Sequence, residues 1–137
     1  MIKYIYSTES LVPDQLEGFF VGWENRPSKK THLRLLQQSD NIILAMENDI
    51  VVGFITAISD SVLSAYIPFL EVLPAYKQQG IGKELLKRML EQLQEYYMID
   101  TICDPDMEKF YSRFGMHKAN GMVIRNYDKQ NASLSTL

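Results

Sequence analysis

Apolar and polar residues alternate over Ile2–Tyr6, which predicts a first strand. Pro13 suits the first turn of a helix running to about Phe20. Gly22, Asn25 and Pro27 mark a loop around Trp23. Ser28 is placed to cap a second helix over about Lys29–Gln38, with Leu33, Leu35 and Leu36 as its apolar residues. Asn41–Glu47 and Ile50–Ser59 read as strands, and Asn48-Asp49 between them as a two-residue hairpin turn. Ala65–Leu73 predicts another strand. It contains Pro68, which cannot donate to a ladder and so marks an edge, a bulge or a place where pairing stops. The pattern changes at Pro74. Ile81, Leu85, Leu86, Met89, Leu90, Leu93 and Tyr97 then recur at helical spacing and predict an amphipathic helix. Met98–Cys103 reads as a short strand. Asp104-Pro105 can begin a helix over about Asp106–Phe114, with Gly115 as its C-cap. His117–Tyr127 predicts one or two further strands, and the polar tail Asp128–Leu137 is expected to fray. The order β-α-α-β-β-β-α-β-α-β describes one α/β domain over residues 1–137, with a central mixed β-sheet flanked by helices. The strands at the two ends of 65–103 should run parallel through a right-handed crossover.

Composition narrows the function classes. A chain of 137 residues with 46% hydrophobic and 23% charged residues can bury a core without a metal or disulfide. Cys103 is the only cysteine, so an intrachain disulfide and a cysteine-built zinc site are excluded, and no metal is expected. That usage suits a reducing, cytoplasmic location. Net charge is −3 and the basic residues are not clustered, which argues against nucleic acid as a partner. The longest apolar stretch, Ile50–Ile58, is well short of the ~20 residues a membrane span needs, so no membrane partner is expected. The first six residues lack the apolar core of a signal peptide.

Lys77-Gln78-Gln79-Gly80-Ile81-Gly82-Lys83 lies between a predicted strand and the strongest predicted helix. Its glycines allow a tight turn and close approach of a ligand, and the helix start offers unpaired N–H groups and the positive end of a dipole. Such a place holds phosphate oxygens, although the same glycines could simply begin a helix. A dinucleotide fingerprint is excluded because Leu85 stands where a third glycine is needed. A P-loop is excluded because Lys77 and Glu84 occupy its first glycine and its Ser/Thr.

The wider run, Leu70-Glu71-Val72-Leu73-Pro74-Ala75-Tyr76-Lys77-Gln78-Gln79-Gly80-Ile81-Gly82-Lys83-Glu84-Leu85-Leu86, resembles the acetyl-CoA-binding motif of the GCN5-related N-acetyltransferases (GNAT). Phe110-Tyr111-Ser112-Arg113-Phe114-Gly115-Met116 is similar to a later segment of that family, and Val51-Val52-Gly53-Phe54-Ile55 to its central hairpin strand. The resemblance covers about residues 40–118. It implies the acyl-CoA N-acyltransferase fold, acetyl-CoA as cofactor, and transfer of the acetyl group to a primary amine of a small molecule or peptide. The strand backbone at Leu70 and Val72 would pair with the pantetheine arm. Gln78, Gln79, Gly80, Ile81, Gly82 and Lys83 would wrap the pyrophosphate. Asp104 falls where the family often has an asparagine touching the cofactor, although it can equally serve as a helix cap. Tyr111 falls on the tyrosine assigned as proton donor to the departing thiolate.

The family's glutamate base would align near Ile99 and is missing. Glu71 is the alternative, because alternation turns it away from Leu70 and Val72; an ordinary strand residue is the competing reading. His32 and His117 show no motif and read as surface residues. Cys103 reads as an inert core thiol. Phe19, Phe20 and Trp23 flank the variable loop and could line an acceptor pocket or pack the core. The acidic balance favours a cationic amine. A non-catalytic acyl-CoA-binding sensor and a transferase for a longer acyl-CoA are the alternatives, and homodimerisation is left open.

Overall fold

The computed structural model describes residues 1–133. Its centre is a five-stranded sheet in which neighbours in sequence are neighbours in space: β1 (Lys3–Ile5), β2 (Asn41–Glu47), β3 (Ile50–Ser59), β4 (Ser64–Val72) and β5 (Met98–Thr101). The first three pairings are antiparallel, and β4 with β5 is parallel. The hairpin lies where the sequence placed it because both turn residues take the left-handed conformation, with φ of 51° at Asn48 and 67° at Asp49. Asn and Asp tolerate that conformation well, and a two-residue hairpin of this kind requires it.

The sheet separates two apolar cores. Helix α2 (Ile81–Gln92) and helix α3 (Glu108–Ser112) cover one face, where Ile43, Ile55, Ile67, Leu85, Leu86 and Met89 are buried. Fully burying each such side chain contributes about 1.5–3 kcal/mol. Gly53 in β3 lets α2 come this close: a Cβ there would lie 3.2 Å from both Ile81 and Leu85. Helix α1 (Lys29–Gln38) covers the other face over Leu36, Leu44 and Phe54. Ser28 caps it, its hydroxyl accepting from the Thr31 N–H at 3.1 Å.

Pro68 marks a bulge and the end of a pairing together. Thr56 pairs with Phe69 and Ile58 with Tyr66, so β4 carries one residue more than β3 between these rungs. Pairing with β5 runs from Ser64–Met98 to Ile67–Thr101 and stops. The extra residue reverses the alternation. Ala65 and Ile67 face α2 before the bulge, and Leu70 and Val72 face it afterwards. Tyr66, Phe69 and Glu71 are turned to the α1 side.

Several elements differ from the sequence reading. Only one 3₁₀ turn, Pro13–Leu16, forms where a helix to Phe20 was expected, and the chain reverses at Phe20 with φ of 63°. Helix α2 ends at Gln92. Leu93 is its last buried apolar residue, whereas Tyr97 is 83% exposed. A 3₁₀ turn, Pro105–Met107, precedes the short α3. No strand forms over 117–127, where Met122 and Ile124 are 94% and 85% exposed and bury no face against the sheet. The segment expected to fray is attached by hydrogen bonds: Asn25 N–H donates to Gln130 Oε1, and Asn131 Nδ2 donates to Asn25 Oδ1, both at 3.0 Å. Residues 134–137 lie outside the described residues.

Candidate active site

Two features converge where β4 and β5 part. The first is the start of α2. Gly80 adopts φ of 81° and Gln78 φ of 65°, so the chain curls immediately before the helix. No side chain caps the helix, and the first intrahelical bond runs from Glu84 N–H to the Gly80 carbonyl at 3.0 Å. The Ile81, Gly82 and Lys83 N–H groups therefore have no partner within the helix and sit at its positive end. Glu84, the one acid in this turn, is held by Arg88 at 2.7 Å. A Cβ on Gly82 would lie 3.7 Å from Val72 and 3.9 Å from Phe110, so this turn abuts both the end of β4 and α3. Gln79 and Lys83 are exposed beside it. Uncapped amides, a left-handed glycine and an open strand edge suit a ligand with a pyrophosphate and an extended amide arm, the features of coenzyme A.

The second feature is Tyr111, buried on α3. Burial raises its phenol above the usual value, the nearby Cys103 thiol adds to this, and the neighbouring Thr101 opposes it. Thr101 Oγ1 donates to the Ile67 carbonyl at 2.7 Å, on the last β4–β5 rung. The phenol thus keeps its proton beside the point where the strands separate. Cys103 is half-buried, and its thiol is raised by burial and by the acids Glu108, Asp104 and Asp106, which disfavours a reactive thiolate.

Asp104 is exposed and sits at the N-cap of the 3₁₀ turn, but its side chain makes no capping bond; its carbonyl accepts from Met107 N–H at 2.9 Å. The capping role read from the sequence is not performed by its carboxylate. Glu71 is engaged on the α1 side, where its two carboxylate oxygens accept from the Phe20 N–H at 2.9 Å and the Val21 N–H at 3.2 Å. It therefore holds the loop that turns at Phe20.

On that same side a cavity of about 740 Å³ opens beside the β4 bulge. Phe20, Trp23, Tyr66, Phe69 and Tyr127 give it aromatic walls, and Arg34 and Arg125 give it cationic groups. Phe20 and Trp23 line it, as the sequence suggested, whereas Phe19 packs in the core. Arg34, Tyr66 and Arg125 come from three distant segments without a shared motif, and sequence reading did not single them out. His117 is exposed. His32 is not a surface residue: it is 1% exposed among Phe19, Phe20 and Phe54, with no protein hydrogen-bond partner at either ring nitrogen. Desolvation lowers its pKa to about 4, so it is neutral at physiological pH. Among the described residues no cluster of side chains could hold a metal ion, and no helix is long and apolar enough to cross a membrane.

Known proteins share this arrangement. The sequence pattern of the Acetyltransferase (GNAT) family matches residues 8–116. The chain is 32% identical over 122 residues to the uncharacterized N-acetyltransferase ycf52 of Porphyra purpurea, covering 84% of this chain and 70% of that one. It is 33% identical over 122 residues to the chloroplastic GCN5-related N-acetyltransferase 1 of Arabidopsis thaliana, covering 85% of this chain and 59% of that one. A crystal structure from Deinococcus radiodurans R1 that carries an acetyltransferase name superposes with a TM-score of 0.92 at 42% identity, over 95% of this chain and 92% of that one. The split sheet, the uncapped α2 amides and these matches together make the chain a member of the GNAT family of N-acetyltransferases, and an acyltransferase enzyme.

Proposed function

We propose that this enzyme moves an acetyl group from acetyl-CoA to the primary amine of a small molecule or peptide, by direct attack within a ternary complex. The observation that carries this reading is the parting of β4 from β5 after Ile67–Thr101, with the α2 amides at one end and the aromatic cavity on the other face. Acetyl-CoA, when bound, supplies an activated thioester. The amides of Ile81, Gly82 and Lys83, with Gln78, Gln79 and Gly80 shaping the turn, bind the pyrophosphate. The β4 backbone at Leu70 and Val72, free of β5, pairs with the extended arm, and an N–H near Val72 polarises the reacting carbonyl. Asp104 borders the same ligand. Tyr111 holds its proton in the free enzyme and donates it as negative charge develops on sulfur. Glu71 keeps a lone pair on each oxygen beyond its bonds to the loop, and takes the ammonium proton through a water. On this reading the whole of residues 1–137 forms one transferase domain. The free Cys103 suits a reducing compartment such as the cytoplasm.

The test is thiol release from acetyl-CoA with a panel of primary amines. Amine-dependent release is expected. Binding of coenzyme A without release by any amine would leave an acyl-CoA sensor in its place, and faster release from a longer acyl-CoA would change the donor.

A further inference from the structure

The acceptor cavity runs against the charge of the whole chain. The protein carries −3, yet the cavity lining holds two guanidinium groups, Arg34 and Arg125, and no carboxylate. Neither arginine belongs to an ion pair among the described residues. The single hydrogen bond of the Arg125 side chain goes to the neighbouring Ile124 carbonyl at a long 3.4 Å, and Arg34 has none within the described protein. Both keep donors free, and a guanidinium recognises a carboxylate or another oxyanion through paired N–H groups.

The remaining wall sets the shape of the ligand. Phe20, Trp23, Phe69 and Tyr127 offer aromatic faces in a space of about 740 Å³, within the range that accepts a small organic molecule. A polyamine would bring several ammonium groups to the two guanidinium groups with no carboxylate in the lining to receive them, and like charges at close range disfavour binding. An amine with an apolar or aromatic body and an anionic group satisfies both halves of the wall.

We infer that the acceptor is an amine carrying an aromatic or apolar body and a carboxylate or comparable oxyanion, which Arg34 and Arg125 bind. This differs from the cationic acceptor that the acidic balance favours, because it follows the charge of the local lining instead of the net charge. The inference rests on the acetyltransferase reading.

Phenylalanine and phenethylamine differ only in the carboxylate, and spermidine serves as the polycation. With acetyl-CoA saturating, kcat/KM is expected to be about 10–100-fold higher for phenylalanine than for phenethylamine, the scale of a hydrogen-bonded charge, and lowest for spermidine. Arg34→Gln with Arg125→Gln should shrink the ratio between the first two at least tenfold, chiefly through KM. Equal rates for the two, a preference for spermidine, or a ratio that survives the double substitution would overturn the inference while leaving the transferase reading intact. A second readout needs no turnover: calorimetric binding of N-acetylphenylalanine against N-acetylphenethylamine. If no amine is acetylated, the transferase reading fails, and tighter binding of the carboxylate compound, abolished in the double variant, still decides whether the cavity selects an anion. Equal binding of the two overturns it.

Discussion

His32 gives the fold a measurable weakness in acid. Its imidazole is 1% exposed, lies edge-on to Phe19 and Phe20 and against Phe54 at a centroid distance of 4.4 Å, and has no protein partner at either nitrogen. Glu17, Arg26 and Lys29 line a small cavity at its edge, and Lys29 is paired with Asp14 and Glu17. Desolvation takes the imidazole from 6.5 to about 4. A histidine whose folded pKa is lowered leaves stability untouched above its unfolded value. Stability then falls as the pH drops from about 6.5 through about 4, because the unfolded chain binds the proton first. Each tenfold difference in proton affinity is worth about 1.4 kcal/mol, so the full loss is about 3 kcal/mol, of which about 2.5 is reached at pH 4.5. His32→Leu removes the titration at similar volume. Urea unfolding of both proteins at pH 7.5 and pH 4.5 separates this effect from the carboxylates, which titrate alike in each. The stability difference should shift in favour of the variant by about 2.5 kcal/mol on going to pH 4.5. An unchanged difference, within about 0.5 kcal/mol, would refute the account of a neutral, desolvated ring.

Three further substitutions probe the site. Tyr111→Phe keeps the buried ring and removes the donor; kcat should fall roughly 10–10³-fold with coenzyme A affinity and melting temperature nearly constant, and full activity would remove the tyrosine from the proton path. Glu71→Gln leaves one acceptor oxygen for the two loop amides; turnover should fall most at low pH, where amine deprotonation limits, by about 10²–10⁴-fold, while a rise confined to the amine KM would restrict Glu71 to holding the loop. Coenzyme A at 100 times its dissociation constant should stabilise the protein by about 2.7 kcal/mol. Gly82→Trp, which crowds the uncapped turn between Val72 and Phe110, should unfold cooperatively yet lose that shift. A normal shift would place the phosphates elsewhere.

What the sequence made legible follows from how local the signals are. Ser28 and the Asn48-Asp49 turn act within a few residues of themselves, so α1, β2 and β3 lie where the pattern predicts. Pro68 announces a disrupted ladder, and the structure makes it both a bulge and the end of pairing with β5. The failures are tertiary. Met122-Val123-Ile124 has strand-like composition, but no face of it is buried against the sheet. His32 looks like any helical polar residue until Phe19 and Phe20, on a loop whose conformation no pattern predicts, fold over it. The uncapped turn before α2 is continuous in sequence, so its glycines stand out there; the cavity wall is assembled from Trp23, Arg34, Tyr66 and Arg125, which are far apart in the chain, and no pattern links them.

The extra residue in β4 makes strand length, more than strand composition, the constraint on this site. Shortening the chain by one position between Tyr66 and Phe69 would exchange the two sides of everything downstream. Leu70 and Val72 would be presented to the aromatic cavity, and Glu71 would be driven toward Ile81 and Leu85, where a carboxylate has no partner. Insertions and deletions at this spot should therefore be far more damaging than point changes at Pro68 itself, and a library that varies the cavity wall should hold the 66–69 spacing fixed.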